Sequence, residues 1–132
     1  MKKIEHIGIA VQDIDHSNEL FAKIFGEPHY KSEKIKSEGV ETSFFQIGDN
    51  KIELLAAENL ESPISKYLRK HKEGMHHIAF AVEDIAQEMD RLKNIGIRLL
   101  NEVPKKGADN KLICFLHPKD TNGVLIEICQ EI

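Results

Sequence analysis

Two histidines and two glutamates recur at matched places in the two halves of this chain, and together they have the makings of a metal site. His6 opens the run His6-Ile7-Gly8-Ile9-Ala10-Val11-Gln12-Asp13-Ile14. His77 opens its counterpart, His77-Ile78-Ala79-Phe80-Ala81-Val82-Glu83-Asp84-Ile85. Glu53 lies late in the first half, in Lys51-Ile52-Glu53-Leu54-Leu55, and Glu127 late in the second, in Leu125-Ile126-Glu127-Ile128. A carboxylate set in an apolar strand faces either water or a cleft. Buried without a partner it is costly, and a bound cation removes that cost. A single strand histidine is ordinarily a hydrogen-bonded core residue. Duplication with a matching glutamate is what favours the ligand reading. Neutral nitrogen and anionic oxygen donors suit a divalent ion such as Zn, Co, Ni or Mn, with positions left open for water or substrate.

To gather these four groups, each half must build the same unit. Residues about 2–11 read as a strand, and Asp13 or Asp15 caps a helix to Phe25 with Leu20, Phe21, Ile24 and Phe25 on one face. Gly26 stops it and Pro28 forbids continuation. Strands follow near 29–36, 40–47 and 51–57, with a turn at Gly48-Asp49-Asn50. Ser62 and Pro63 open a short connecting helix from Ile64 to Lys70. The second half repeats the order. A strand at about 75–82 precedes a helix capped by Asp84, with Gln87 three residues on. Ile85, Met89, Leu92 and Ile95 supply its apolar face and Gly96 its end. Strands near 97–102, 111–117 and 123–130 complete it. Each half is thus β-α-β-β-β.

Side chains two apart on a strand share a face. His6, Gly8 and Ala10 therefore oppose Ile7, Ile9 and Val11, and His77, Ala79 and Ala81 oppose Ile78, Phe80 and Val82. The bulky face suits packing under a helix. The histidine face carries only small neighbours, as a cleft wall requires. His76 must point away from His77, and the repeat aligns His77 with His6. His16, His29, His71 and His117 have no duplicated counterpart and read as surface or loop residues.

At 132 residues the chain has the size of one domain, 1–132, and a repeat of about seventy residues is too long for a solenoid. A net charge of −4 leaves no basic stripe for nucleic acid. Lys2-Lys3 and Lys105-Lys106 read as solvated surface, although a phosphate-rich coenzyme could use a few lysines locally. Glu5, His6 and Gln12-Asp13 interrupt any secretory signal, and no run approaches the roughly 18 apolar residues of a membrane span. Cys114 and Cys129 sit in apolar runs without a close-spaced partner, which fits buried free thiols in a reducing cytoplasm. No GxSxG elbow, P-loop or dinucleotide glycine fingerprint is present.

At these residues the chain resembles the vicinal oxygen chelate superfamily, the glyoxalase/bleomycin-resistance-like proteins, and within it the methylmalonyl-CoA epimerases. The resemblance is carried by His6-Ile7-Gly8-Ile9-Ala10-Val11, Lys51-Ile52-Glu53-Leu54-Leu55, Ser62-Pro63-Ile64 and Gly74-Met75-His76-His77-Ile78-Ala79. Phe115-Leu116-His117-Pro118-Lys119-Asp120 and Gly123-Val124-Leu125-Ile126-Glu127 complete it. It implies an α+β fold of two paired βαβββ modules, about 1–58 and 74–132 with a short helical connector, forming a metal-containing cleft. It further implies that His6, Glu53, His77 and Glu127 hold the ion. Position 53 is Gln in some epimerases, so Glu keeps a donor but changes the charge.

The implied chemistry removes the proton between a thioester and a carboxylate and returns one to the opposite face. The substrate would be an acyl-CoA or related thioester, and the assembly a homodimer. One departure concerns the second proton carrier. Epimerases carry Glu two residues before a Gly-Val pair, and here that position is Ser37. Glu41 shares strand parity with Ser37 and is the substitute candidate, beside Glu127. Lys119 is the candidate contact for a substrate carboxylate or phosphate. A glyoxalase I-like lyase or isomerase acting on a thiol hemithioacetal is the alternative, and a metal-free small-molecule binding protein the third.

Overall fold

A computed structural model describes residues 1–132. The chain forms two compact units, one of Ile7–His76 and one of Met1–His6 with His77–Ile132. The division falls inside two strands, β1 (Lys3–Ala10) and β5 (Gly74–Ala81), so each of them contributes to both units.

In the unit Ile7–His76, the rest of β1 leads into α1 (Ile14–Phe25), β2 (Lys31–Ile35), β3 (Val40–Ile47), β4 (Asn50–Ala57) and α2 (Pro63–His71). The strands lie in the order β2-β3-β4-β1. Asp13 caps α1 by accepting from the His16 amide, and Gly26 closes it in the left-handed region at φ 79°. Ile14, Phe21, Ala22 and Phe25 pack on Val11, Phe45, Leu54 and Ala56. Leu20 and Ile24, expected on that face, are 46% and 62% exposed. The stripe is centred on Phe21 and Phe25, and each residue one position earlier is rotated about 100° towards solvent.

The other face of the β3–β4 hairpin packs Val40 and Leu55 against Ile64 and Leu68 of α2. Ser62 caps α2 through the Ser65 amide, with Pro63 in its first turn. A 3-10 turn over Lys36–Glu38 interrupts the chain before β3 and ends on Gly39 at φ 61°. A Cβ at Gly39 would stand 2.9 Å from Ser62 Cβ, so both the backbone and the space require glycine there.

In the second unit, α3 (Ile85–Asn94) follows β5, and then β6 (Lys105–Gly107), β7 (Lys111–Phe115) and β8 (Ile126–Glu131). The strands run β5-β8-β7-β6, with β5 parallel to β8 and the others antiparallel. Asp84 caps α3 through the Gln87 amide. Ile85, Met89 and Leu92 pack on Cys114, Leu116 and Ile128. Ile95 was expected on this face but lies beyond the last turn, 62% exposed. Cys114 and Cys129 are buried free thiols, and burial pushes the Cys114 thiol up.

The expected strand at 97–102 is not a regular one. Only Leu99 makes a bridge, to Leu116, and the strand label passes to Lys105–Gly107. Two backbone bonds, Leu100 amide to Phe115 carbonyl and His117 amide to Arg98 carbonyl, are joined here by side-chain bonds. Asn101 accepts from the Phe115 amide and donates to the Ile113 carbonyl. Asp120 accepts from the Arg98 amide and from its guanidinium at Nε. Those Arg98 bonds hold the Asp120 carboxyl far below the ordinary carboxylate range.

The β5–β8–β7 register positions the chemistry. Ala79 and Phe115 both pair with Glu127, so His77, Ala79, Phe115 and Glu127 share the face turned away from α3. No helix is long and apolar enough to cross a membrane.

Candidate metal site

His6, His77 and Glu127 converge. One donor atom from each lies within 4.8 Å of the others, and all three residues are buried. Their Nε2 atoms stand 3.0 Å apart. Glu127 places Oε2 3.7 Å from His6 Nε2 and Oε1 3.8 Å from His77 Nε2. The two rings meet edge to face, 5.1 Å between centroids, and Phe115 abuts the far side of His77 at 5.9 Å.

Glu5 lies behind this group, with Oε1 3.1 Å from His6 Nδ1. An ionised Glu5 can only accept, and with it Nδ1 would carry the proton and His6 Nε2 present its lone pair. Two ring nitrogens 3.0 Å apart cannot both present bare lone pairs. Without an ion, His77 Nε2–H donates to His6 Nε2. A divalent ion bound here would take the place of that proton.

The spacing fits a common ion. Nitrogens about 2.1 Å from one centre stand roughly 3.0–3.4 Å apart at octahedral to tetrahedral angles. The carboxylate lies a few tenths of an ångström further out than that range. Two imidazoles and a buried carboxylate form a donor set for a divalent transition metal rather than for an all-oxygen calcium site.

The remaining sequence candidates are placed differently. Glu53 is buried in β4 opposite Phe44, on the hairpin face that also carries Thr42 and Leu55. It belongs to the other compact unit and is not among the three converging donors. Glu41 pairs with Lys34 and Ala56, on the face where Ser43 hydroxyl donates to Asn18 of α1. That is the opposite face from Glu53. The parity linking Glu41 to Ser37 fails because residues 36–38 form a 3-10 turn, not an extended strand. Lys119 is exposed in the turn Pro118–Asp120, its amide donating to His117 Nδ1. His76 packs its ring on Tyr67 at 4.7 Å, and His77 is the one of the pair that joins the donor cluster.

Glu5 was invisible to the repeat. Its counterpart is His76, and strand alternation places neighbouring residues on opposite faces. An acidic residue beside a ligand histidine was the only cue.

Comparison with known proteins supplies the wider setting. The family model for the Glyoxalase/Bleomycin resistance protein/Dioxygenase superfamily matches residues 5–115. An ethylmalonyl-CoA/methylmalonyl-CoA epimerase of Cereibacter sphaeroides is 38% identical, over 97% of this chain and 97% of its own. The mitochondrial methylmalonyl-CoA epimerase of Homo sapiens is also 38% identical, over 97% of this chain and 73% of its own. Among solved structures, a Streptomyces coelicolor methylmalonyl-CoA epimerase variant in complex with 2-nitronate-propionyl-CoA superposes with a TM-score of 0.96. Its identity is 33%, covering 99% of this chain and 95% of that one.

Proposed function

The chain belongs to the Glyoxalase/Bleomycin resistance protein/Dioxygenase superfamily, and from that membership we propose that it is a metal-dependent epimerase of methylmalonyl-CoA or a closely related 2-methyl acyl thioester. The observation that carries this reading is the buried convergence of His6, His77 and Glu127. A divalent ion there would supply charge stabilisation to the thioester oxygen as the α-proton leaves.

The chain's own residues do the rest. His6, His77 and Glu127 would hold the ion, and the sequence repeat nominates Glu53 as the fourth donor. Glu127 also carries the proton on its carboxylate. Ala79 keeps the face beside His77 open, while Phe115, Ile113 and Cys129 supply a dry apolar flank. Lys119 is the proposed contact for an anionic end of the substrate. Glu41 is not assigned as the second carrier, because its strand face is that of α1. The buried free thiols suit a reducing cytoplasm, and the resemblance extends to a homodimer.

Metal-loaded protein incubated with one epimer of methylmalonyl-CoA in deuterated water should introduce deuterium at the α-carbon and yield the other epimer. Neither exchange nor inversion, under conditions where a known epimerase works, would remove the proposal.

A further inference from the structure

We infer that Glu5 is a positioning residue that prepares His6 for coordination, an inference that rests on the metal reading above. Three observations on the page lead there. Glu5 is 4% exposed and His6 6%, although strand neighbours ordinarily point to opposite faces. Glu5 Oε1 stands 3.1 Å from His6 Nδ1, while the other nitrogen of the same ring faces His77 at 3.0 Å. The ring is therefore clamped at both ends along the line that leads to the donor cluster.

The chemistry follows from the inventory of donors. An ionised carboxylate has no proton to give, so it selects the Nδ1–H tautomer and leaves Nε2 as the electron-pair donor. Its hydrogen bond to Nδ1 fixes the ring orientation before any ion arrives. Such carboxylate–histidine pairs commonly set metal affinity as strongly as some ligands do. At the matching place in the second half stands His76, which turns its ring to Tyr67. His77 meets the Phe115 ring and, through Nε2, His6 and Glu127.

The test reads the ring and the ion separately. In metal-free, 15N-labelled protein, long-range proton–nitrogen spectra should show His6 as the Nδ1–H tautomer. Glu5→Ala should mix the tautomers and weaken Co(II) affinity by about 10–100-fold. Glu5→Gln keeps an acceptor oxygen without the charge and should fall between the two in affinity. It also serves as the reading if Glu5→Ala does not fold. Wild-type tautomer and wild-type Co(II) affinity in the folded variant would overturn the role of Glu5. A wild-type tautomer that shifts in the variants, in a protein that takes up no Co(II) or Zn(II), would uphold the positioning and instead remove the metal reading.

Discussion

Glu127→Gln should lower α-proton exchange by about 10²–10⁴-fold, the usual worth of a positioned proton-transfer group. Glu127 is 5% exposed and faces both His6 and His77 Nε2 at 3.7 and 3.8 Å. Gln preserves its length and one acceptor oxygen but removes the anion. Two functions fail together: a neutral amide is a poorer partner for a divalent cation, and it cannot take up the substrate proton. The fold should barely notice. Glu127 pairs in register with Ala79 and Phe115, and those backbone bonds do not depend on its side chain. Metal-free Glu127→Gln is expected to stay within about 1 kcal/mol of metal-free wild type, since an acceptor is retained. Exchange kinetics beside urea unfolding of the same preparations separate the two effects. Loss of activity with an equal loss of stability would mean that Glu127 is structural.

The largest expected effect on stability lies elsewhere, at Phe45. This ring is 2% exposed and stands 5.4 Å from Phe25, 6.5 Å from Phe21 and 5.9 Å from the His29 ring. It is the aromatic anchor of α1 on β3. Phe45→Ala removes the ring and leaves a void that α1 can only partly fill, at a cost of about 3–5 kcal/mol. For a chain of this size that corresponds to a fall in melting temperature of roughly 10–20 °C. Leu54 and Ala56 share the cluster but are smaller, so truncation there costs less. A change below 1 kcal/mol at Phe45 would mean that α1 is held mainly by other contacts.

The convergence of His6, His77 and Glu127 was legible because a duplicated histidine with small neighbours stands out from an ordinary strand core. Parity then separated His77 from His76, and the Tyr67 contact explains where the second ring goes. Parity failed where the chain left the extended state. The 3-10 turn at Lys36–Glu38 broke the relation between Ser37 and Glu41. It failed again at Glu5 and His6, two strand neighbours that are both buried and joined side chain to side chain. Helix caps were legible at Ser62 and Asp84, and at Asp13 as one of two candidates with Asp15, because capping is local chemistry. The segment 97–102 was misread as a strand because its apolar pattern resembles one. It keeps a single bridge, Leu99 to Leu116, and side-chain bonds from Asn101 to β7 and from Asp120 to Arg98 take the rest, a choice made by tertiary neighbours rather than by local propensity.

The central claim is that His6, His77 and Glu127 share one metal ion. Crystals of protein purified with its resident metal, measured on both sides of that metal's absorption edge, test it most directly. The account predicts one anomalous peak per chain within coordination distance of His6 Nε2, His77 Nε2 and the Glu127 carboxylate, absent after chelation. No peak at that place in crystals grown with Zn, Co, Ni or Mn would contradict it.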